Sequence, residues 1–541
     1  MTIFSIGTPP NSQRAQVIKR LTVVVWGALP IVAYVVLAGR NLLSTPLGPI
    51  DDHEYLVWKL SNPTGDLSLA IVEGLQRTVG EFNAPRYRPI FHPVRSISTA
   101  LFGDDPRIRY LFRLLLAALG LILFSSVQRR LVQQTATQIR PIELALITAT
   151  SVAAFEWQDV VARLGSQEIF ALFGSFLALF ALSASKSAHS GPLFFLGVVL
   201  MIGFKENFSF HALILTGAAL ILDIHLKWRR LLYVTALISL ISCGLVGLAL
   251  SSTAGTDYYG QERNIQSYFR DFFFGFVSTR IWIASCLILL LLLLAGREFR
   301  RPLFIISLAV FCSLQVDWIF YGDEMSNFGR YSSYSNLILV ALLNMNLIFL
   351  LRRVQLRLGS HSQIITGIIA ASVVLASATV LAVSLGRDIN HSNSAKDRAT
   401  EWNEAIVDVS QAVNEAAHTQ VLISLQLTDA TFVKRWERAR ALPIFLRDDL
   451  APEVRVFLSL ESDSAKRTAQ GTLDTVTASL SEISRSGEFT RLNGGDAIEW
   501  LAPLAEFETT TSTYCVRYSS SGTSFALEDH CSEVSRFLPN E

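Results

Sequence analysis

Charged side chains make up only 17% of the 541 residues. Soluble domains carry about 25%, so a soluble multidomain enzyme is excluded before any motif is read. Cysteine is equally scarce, with five in the chain. No two of them, nor any Cys/His combination, fall at metal-ligand spacing, which leaves no structural zinc module. No P-loop and no GxGxxG after a strand-like run appears, so neither common phosphate cradle is present. Internal repeats are absent, which excludes a solenoid. The one low-complexity patch is a short Ser/Gly run at 519–523. No nucleic acid is expected among the partners.

Apolar residues are what the chain has instead, at 51%. A bilayer crossing needs about 20 predominantly apolar residues. Runs near that length lie at 21–38, 109–127, 142–157, 167–184, 192–204, 208–224, 231–250, 280–296, 302–319, 335–351 and 364–386. About eleven transmembrane helices are therefore expected. The first run spans and is not a cleaved leader, because no small-residue cleavage site follows it. Basic clusters fall in alternate gaps: Arg14/Lys19/Arg20, Arg129/Arg130, Lys227/Arg229/Arg230, Arg297/Arg300/Arg301 and Arg352/Arg353. The positive-inside rule puts these gaps, and the N-terminus, in the cytoplasm. Gaps 39–108, 158–166, 205–207, 251–279 and 320–334 are then outside, with everything after 387.

The net charge of +1 conceals two unlike parts. Residues 387–541 hold 15 Lys and Arg against 24 Asp and Glu, a balance of −9; residues 1–386 hold 31 against 21, a balance of +10. The reading is a membrane domain over 1–386 and a soluble, extracytoplasmic domain over 387–541. In the latter, 421–427 and 454–460 read as strands, and 431–446 and 472–483 as helices. A small α/β or α+β domain is expected. Cys243, Cys286 and Cys312 lie in apolar runs as small apolar filler. Cys515 and Cys531 lie in the tail, where an oxidising compartment allows them to pair, and a disulfide is expected.

Charges of both signs gather near the outer ends of the runs. They are Asp51, Asp52, His53 and Glu54; Arg86, Arg88 and His92; Glu156, Asp159, Arg163 and Glu168; Lys205 and Glu206; and Asp317, Asp323, Glu324 and Arg330. Ionisable groups at membrane depth are costly and face a cavity or a partner. In the first outer loop, Gly48-Pro49-Ile50 delivers two adjacent carboxylates ahead of a helix-like segment. There Tyr55, Leu56, Trp58 and Leu60 suit an interfacial helix. Adjacent carboxylates can divide labour as base and orienting group, or one can simply cap the helix.

Asp51-Asp52-His53-Glu54 is followed by Arg86-Tyr87-Arg88-Pro89, leading to Leu101-Phe102-Gly103 and Pro106. Trp157–Glu168 (WQDVVARLGSQE), Phe204-Lys205-Glu206-Asn207 and Gly329-Arg330-Tyr331 follow. In order, side and spacing over about residues 20–350, these stretches resemble the GT-C superfamily of polyprenyl-phosphate-sugar glycosyltransferases. The likeness is strongest to the branch holding protein O-mannosyltransferases and the lipid A aminoarabinose transferase. Ser332-Ser333 departs from the small polar residue or Pro usual after the late Arg-Tyr. The tail has no TPR-like repeat, so the family's sugar and acceptor do not carry over.

The resemblance implies a GT-C fold with two interfacial helices in loop 39–108. It also implies an inverting glycosyltransferase in a cell envelope, with a bacterial inner membrane and a periplasmic tail as the expected setting. Its donor is a polyprenyl-phosphate-linked sugar, and its acceptor a hydroxyl on a glycan, lipid or protein, among membrane lipids. Proton removal needs a carboxylate, given to Asp51 or Asp52. A departing phosphate needs cations, given to Arg163, Lys205 and Arg330. Glu54, Arg86, Arg88, His92, Glu168, Glu206 and Tyr331 are the further substrate contacts. Some superfamily members use a divalent cation, Mg or Mn; Asp52, His53, Glu54 and His92 are its candidate ligands, and metal use stays open. The competing class is a transporter or flippase of a lipid-linked sugar. Against it stand charges gathered at one face and the lack of an inverted repeat.

Overall fold

A computed structural model describes residues 27–48, 55–56, 58–59, 62, 64–80, 87–103, 105–135, 140–184, 189–222, 228–252, 270, 273, 278–294, 300–321, 329–358 and 363–415, and five strands beyond them. The first helix, α1 (27–39), tightens into a 3-10 turn, Arg40–Ser44. Then come α2 (Leu67–Gly80), α3 (Phe91–Phe102), α4 (Pro106–Thr135), α5 (Pro141–Ala153) and the single turn α6 (Trp157–Val160). The hairpin α7 (Glu168–Ser183) and α8 (Ser190–Phe204) leads to α9 (Glu206–Ile221) and α10 (Arg229–Ser252). The last helices are α11 (Thr279–Leu294), α12 (Arg300–Tyr321), α13 (Gly329–Leu358) and α14 (Gln363–Glu415).

Each of the eleven apolar runs overlaps a described helix. Five described helices are long and apolar enough to cross a membrane alone: Gly27–Ser44, Pro106–Gln133, Arg229–Ala249, Ser333–Val354 and Gly367–Glu404. Six shorter apolar helices account for the other runs. Large apolar side chains stand exposed along them, among them Leu240 and Leu248 on α10, Leu293 on α11 and Leu375 and Val383 on α14. Apolar exposure on this scale suits lipid and not water, and the chain is an α-helical membrane protein.

Without a hydrophobic force between helices in lipid, close packing and polar contacts hold a bundle together. The α7–α8 hairpin uses the first means. A Cβ on Gly174 would lie 2.6 Å from the Gly197 carbonyl oxygen, and one on Gly197 2.6 Å from that of Gly174. Helices α4, α5 and α13 use the second. Asn344 donates to Gln128 (2.7 Å), and Gln128 donates to Ser151 (2.9 Å). Lower on the same helices, Arg352 donates to both carboxylate oxygens of Glu143 at 2.7 and 2.8 Å.

The loop expected to carry interfacial helices contains α2 and α3. Asp66 caps α2 by accepting from the Ser68 hydroxyl and from the backbone N–H groups of Ser68 and Leu69, which holds its carboxyl below the usual range. Helix α2 presses Gly74 against α3, where an added Cβ would meet the Pro93 Cα at 2.6 Å. Its opposite face leaves Leu67, Ile71, Val72, Leu75 and Val79 exposed. Tyr55 and Trp58, expected on an interfacial surface, instead point inward: Trp58 is 1% exposed and lies under the Arg77 guanidinium.

Helix α14 runs on through 386/387, the expected boundary between the two domains. Beyond it five strands form one sheet: β1 (Gln420–Leu427), β2 (Arg455–Glu461), β3 (Ile498–Trp500), β4 (Ser512–Tyr518) and β5 (Glu528–Asp529). Their order is β3-β2-β1-β4-β5. All neighbours are parallel except β4–β5, with Ile423 level with Leu458 on one side and Tyr514 on the other. The two expected strands are β1 and β2. The helices expected at 431–446 and 472–483 lie outside the described residues.

Candidate functional site

Helices α8 and α9 are joined by one residue. Lys205, with φ −153° and ψ 133°, ends one helix and caps the next. This sharp reversal is braced by the chain just before α3: Ile90 N–H donates to the Gly203 carbonyl at 3.0 Å. The approach needs glycine, since a Cβ on Gly203 would meet the Ile90 side chain at 2.4–2.6 Å. Stacking of Phe170 on Phe204, 4.4 Å between centroids, sets the start of α7 beside the end of α8.

A buried cluster of charge results. Lys205 Nζ lies 3.2 Å from Glu168 Oε1 and 3.9 Å from Glu206 Oε2. Ser166 Oγ donates to Glu168 Oε2 at 2.7 Å. Arg88 Nη1 donates to Gln167 Oε1 at 2.5 Å, and Arg88 Nε lies 3.9 Å from Glu206 Oε1. Glu168, Arg88 and Lys205 are only 3%, 6% and 8% exposed. Glu168 and Glu206 each occupy the first turn of a helix, where the helix dipole favours negative charge. Two cations and two carboxylates thus share one place, which offsets the desolvation that a lone buried charge would suffer.

The segment between α6 and α7 is held from below by Arg113 on α4. Its guanidinium donates to the backbone carbonyls of Val160, Val161, Leu164 and Ser166. Tyr55 donates to the same Leu164 carbonyl at 3.3 Å, which brings the stretch between α1 and α2 to this segment. Arg109 and Arg95 lie over the Tyr55 ring at 3.7 and 4.5 Å, a cation–π arrangement. His92 packs edge-on to Phe91, 4.9 Å between centroids.

On the other side of α6, Arg163 Nη1 lies 3.6 Å from Asp159. Trp157 Nε1 donates to Ser392 Oγ at 2.8 Å, and Tyr34 donates to Asp388 at 2.5 Å, tying α6 and α1 to α14. Half-buried Glu156 has its carboxyl pushed up by burial, with a further push from Asp159.

Of the residues picked out in the sequence, Arg88, Glu168, Lys205 and Glu206 meet in one cluster; Arg163 stands apart in its pair with Asp159. Arg330 and Tyr331 lie in the first turn of α13, and nothing is described of their side chains. Asp51, Asp52, His53, Glu54 and Arg86 lie outside the described residues. So does Cys531, and for Cys515 only its place on β4 is described. Among the described residues no group of three or more His, Cys, Asp or Glu could hold a metal ion. Gln167 and Arg113 went unread. An arginine inside an apolar run was the available signal for Arg113. No protein-family model and no curated protein sequence matches the chain.

Proposed function

We propose that the protein is an integral-membrane, inverting glycosyltransferase of GT-C type, with eleven spans and its tail outside the cytoplasm. It moves a sugar from a polyprenyl phosphate to an acceptor hydroxyl at the outer membrane face. The observation that supports this reading is the buried Arg88–Glu168–Lys205–Glu206 cluster. It gathers three chain segments that the family resemblance singles out separately.

The chemistry is a single displacement. The acceptor oxygen attacks the anomeric carbon from the face opposite the phosphate. The new C–O bond forms as the sugar–phosphate bond breaks, and the configuration inverts. The hydroxyl proton passes to Asp51 or Asp52 as general base. Negative charge grows on the leaving polyprenyl phosphate, where preorganised cations stabilise the transition state. Lys205 is held in place by two carboxylates. Arg330 supplies a second cation, and guanidinium geometry suits two phosphate oxygens at once. Arg163 completes the set.

Purified protein in lipid vesicles, given a panel of radiolabelled polyprenyl-phosphate sugars and acceptors, tests this directly. Transfer with release of polyprenyl phosphate is expected. Loss of the base removes about 100- to 10,000-fold in rate, so Asp51→Asn or Asp52→Asn is expected to abolish turnover while donor still binds. Arg330→Ala impairs both. Movement of intact donor across the bilayer without transfer would instead establish the transporter class.

A further inference from the structure

Asp317 is fully buried on α12, within the apolar bundle. It was noted in the sequence only as one charge among many, and the chemistry above does not use it. Its Oδ1 accepts hydrogen bonds from Asn207 Nδ2 at 3.1 Å and from His211 Nε2 at 2.7 Å. Its Oδ2 accepts one from Ser335 Oγ. Asn207 and His211 stand four apart on the first turns of α9, whereas Ser335 is on α13. One carboxylate therefore holds two other helices, one by each oxygen.

The two helices are those whose starts carry the proposed phosphate cations. Asn207 is two residues from Lys205. Ser335 is five residues from Arg330, about 7.5 Å along a helix at 1.5 Å per residue. The Tyr334 ring lies 4.4 Å from that of His211 and 5.4 Å from that of Phe208, closing the same joint with aromatic contact. Among the described residues the buried His211 Nδ1 atom has no hydrogen-bond partner, so the hydrogen bonding seen for this imidazole is directed at Asp317. Facing the group from α11 is Arg280, which the Coulomb field of Asp317 reaches.

A buried carboxylate is an expensive way to hold helices together, because apolar residues of similar volume often do so equally well or better. What a carboxylate adds is direction: its oxygens fix where each donor must lie. We propose that Asp317 is a positioning residue that sets the spacing between Lys205 and Arg330, and hence the grip on a phosphate. This rests on the glycosyltransferase reading for the identity of the ligand, but not for the existence of the joint.

The test compares Asp317→Leu, which removes the acceptor of all three donors, with Ser335→Ala, which removes only the α13 arm and is the milder change. Hydrogen exchange over 205–212 and 329–337 reports the joint without any activity. Steady-state kinetics with a polyprenyl-phosphate sugar report the grip. In Asp317→Leu both segments are expected to exchange faster, and thermal unfolding in detergent to come at a lower temperature, because three buried donors lose their acceptor. Misplacement of binding groups by about 1 Å can cost roughly 100-fold. The donor kcat/KM is expected to fall by about that factor, with at least ~10-fold of it in KM. Ser335→Ala falls between wild type and Asp317→Leu. The swap His211→Asp with Asp317→His restores exchange and KM toward wild type. Unchanged exchange in both segments, or kcat/KM within about threefold of wild type, overturns the proposal. Faster exchange in a protein that transfers no sugar from any donor leaves the joint standing and removes the glycosyltransferase reading.

Discussion

Arg113, which is buried, and Glu156, which is half-buried, are charges with opposite consequences for stability. Arg113 is 3% exposed, but its donors end on four backbone carbonyls, one of which Tyr55 also reaches, so a cation is a structural member there. Glu156 sits where burial and Asp159 disfavour its ionised form, opposed by Arg387. Its carboxyl is raised in the folded protein, so the stability it contributes is present below the unfolded value. That stability is lost as pH rises through the folded value. Glu156→Gln is therefore expected to raise the melting temperature at pH 8 and to change it little at pH 4. An equal shift at both pH values would show that the side chain stays solvated. At this scale the sequence was legible where charge meets charge, as at Lys205 and Glu168. It was opaque where a side chain serves the backbone, because Arg113 takes partners that every residue carries. Tyr55 and Trp58 misled for a related reason. An amphipathic aromatic suits a lipid interface and a cation–π stack equally, and only the arrival of Arg77, Arg95 and Arg109 from other segments decides between them.

Helices were the most legible elements, since a run of apolar residues near the length of a bilayer leaves the backbone no other way to satisfy its hydrogen bonds. Helix α14 is the exception in extent. The change of composition after 386 does not end the helix, because polar residues such as Lys396, Arg398, Glu401 and Glu404 continue a helix without difficulty. The α7–α8 hairpin shows the reverse case, in which packing depends on what is missing. Gly174 and Gly197 meet backbone to backbone, with each Cβ position 2.6 Å from the other's carbonyl oxygen. Gly197→Val is expected to force the helices apart and shift the end of α8, which carries Lys205. Overpacking typically costs about 1–3 kcal/mol, so the variant should unfold at lower temperature and lose transfer activity together. Wild-type melting and turnover in Gly197→Val would mean that the hairpin adapts by sliding.

The molecule as a whole joins an apolar helical bundle to a largely parallel five-stranded sheet. The sidedness argued from the basic gaps predicts that a reporter fused after residue 415 is active only outside the cytoplasm. Activity of a cytoplasmic reporter at that position would move the Lys205 cluster to the inner face and end the proposed use of an outer-leaflet donor. The strand order was beyond the sequence: β1 lies centrally between β2 and β4, and the residues that adjoin it come from 455–461 and 512–518, far along the chain. Helix α14 is the last helix of the bundle before the strands. A 53-residue helix is about 80 Å long, more than twice the thickness of a hydrocarbon core. Asn41, Leu47 and Trp157 grip it beyond its apolar stretch through Asn393, Asn403 and Ser392. Gripped at several heights, the shaft is keyed against rotation. One residue inserted past Asn403 would turn everything above it by about 100° and raise it by 1.5 Å. The direction in which the end of α14 faces is thus written in its residue count, as a phase as well as a length.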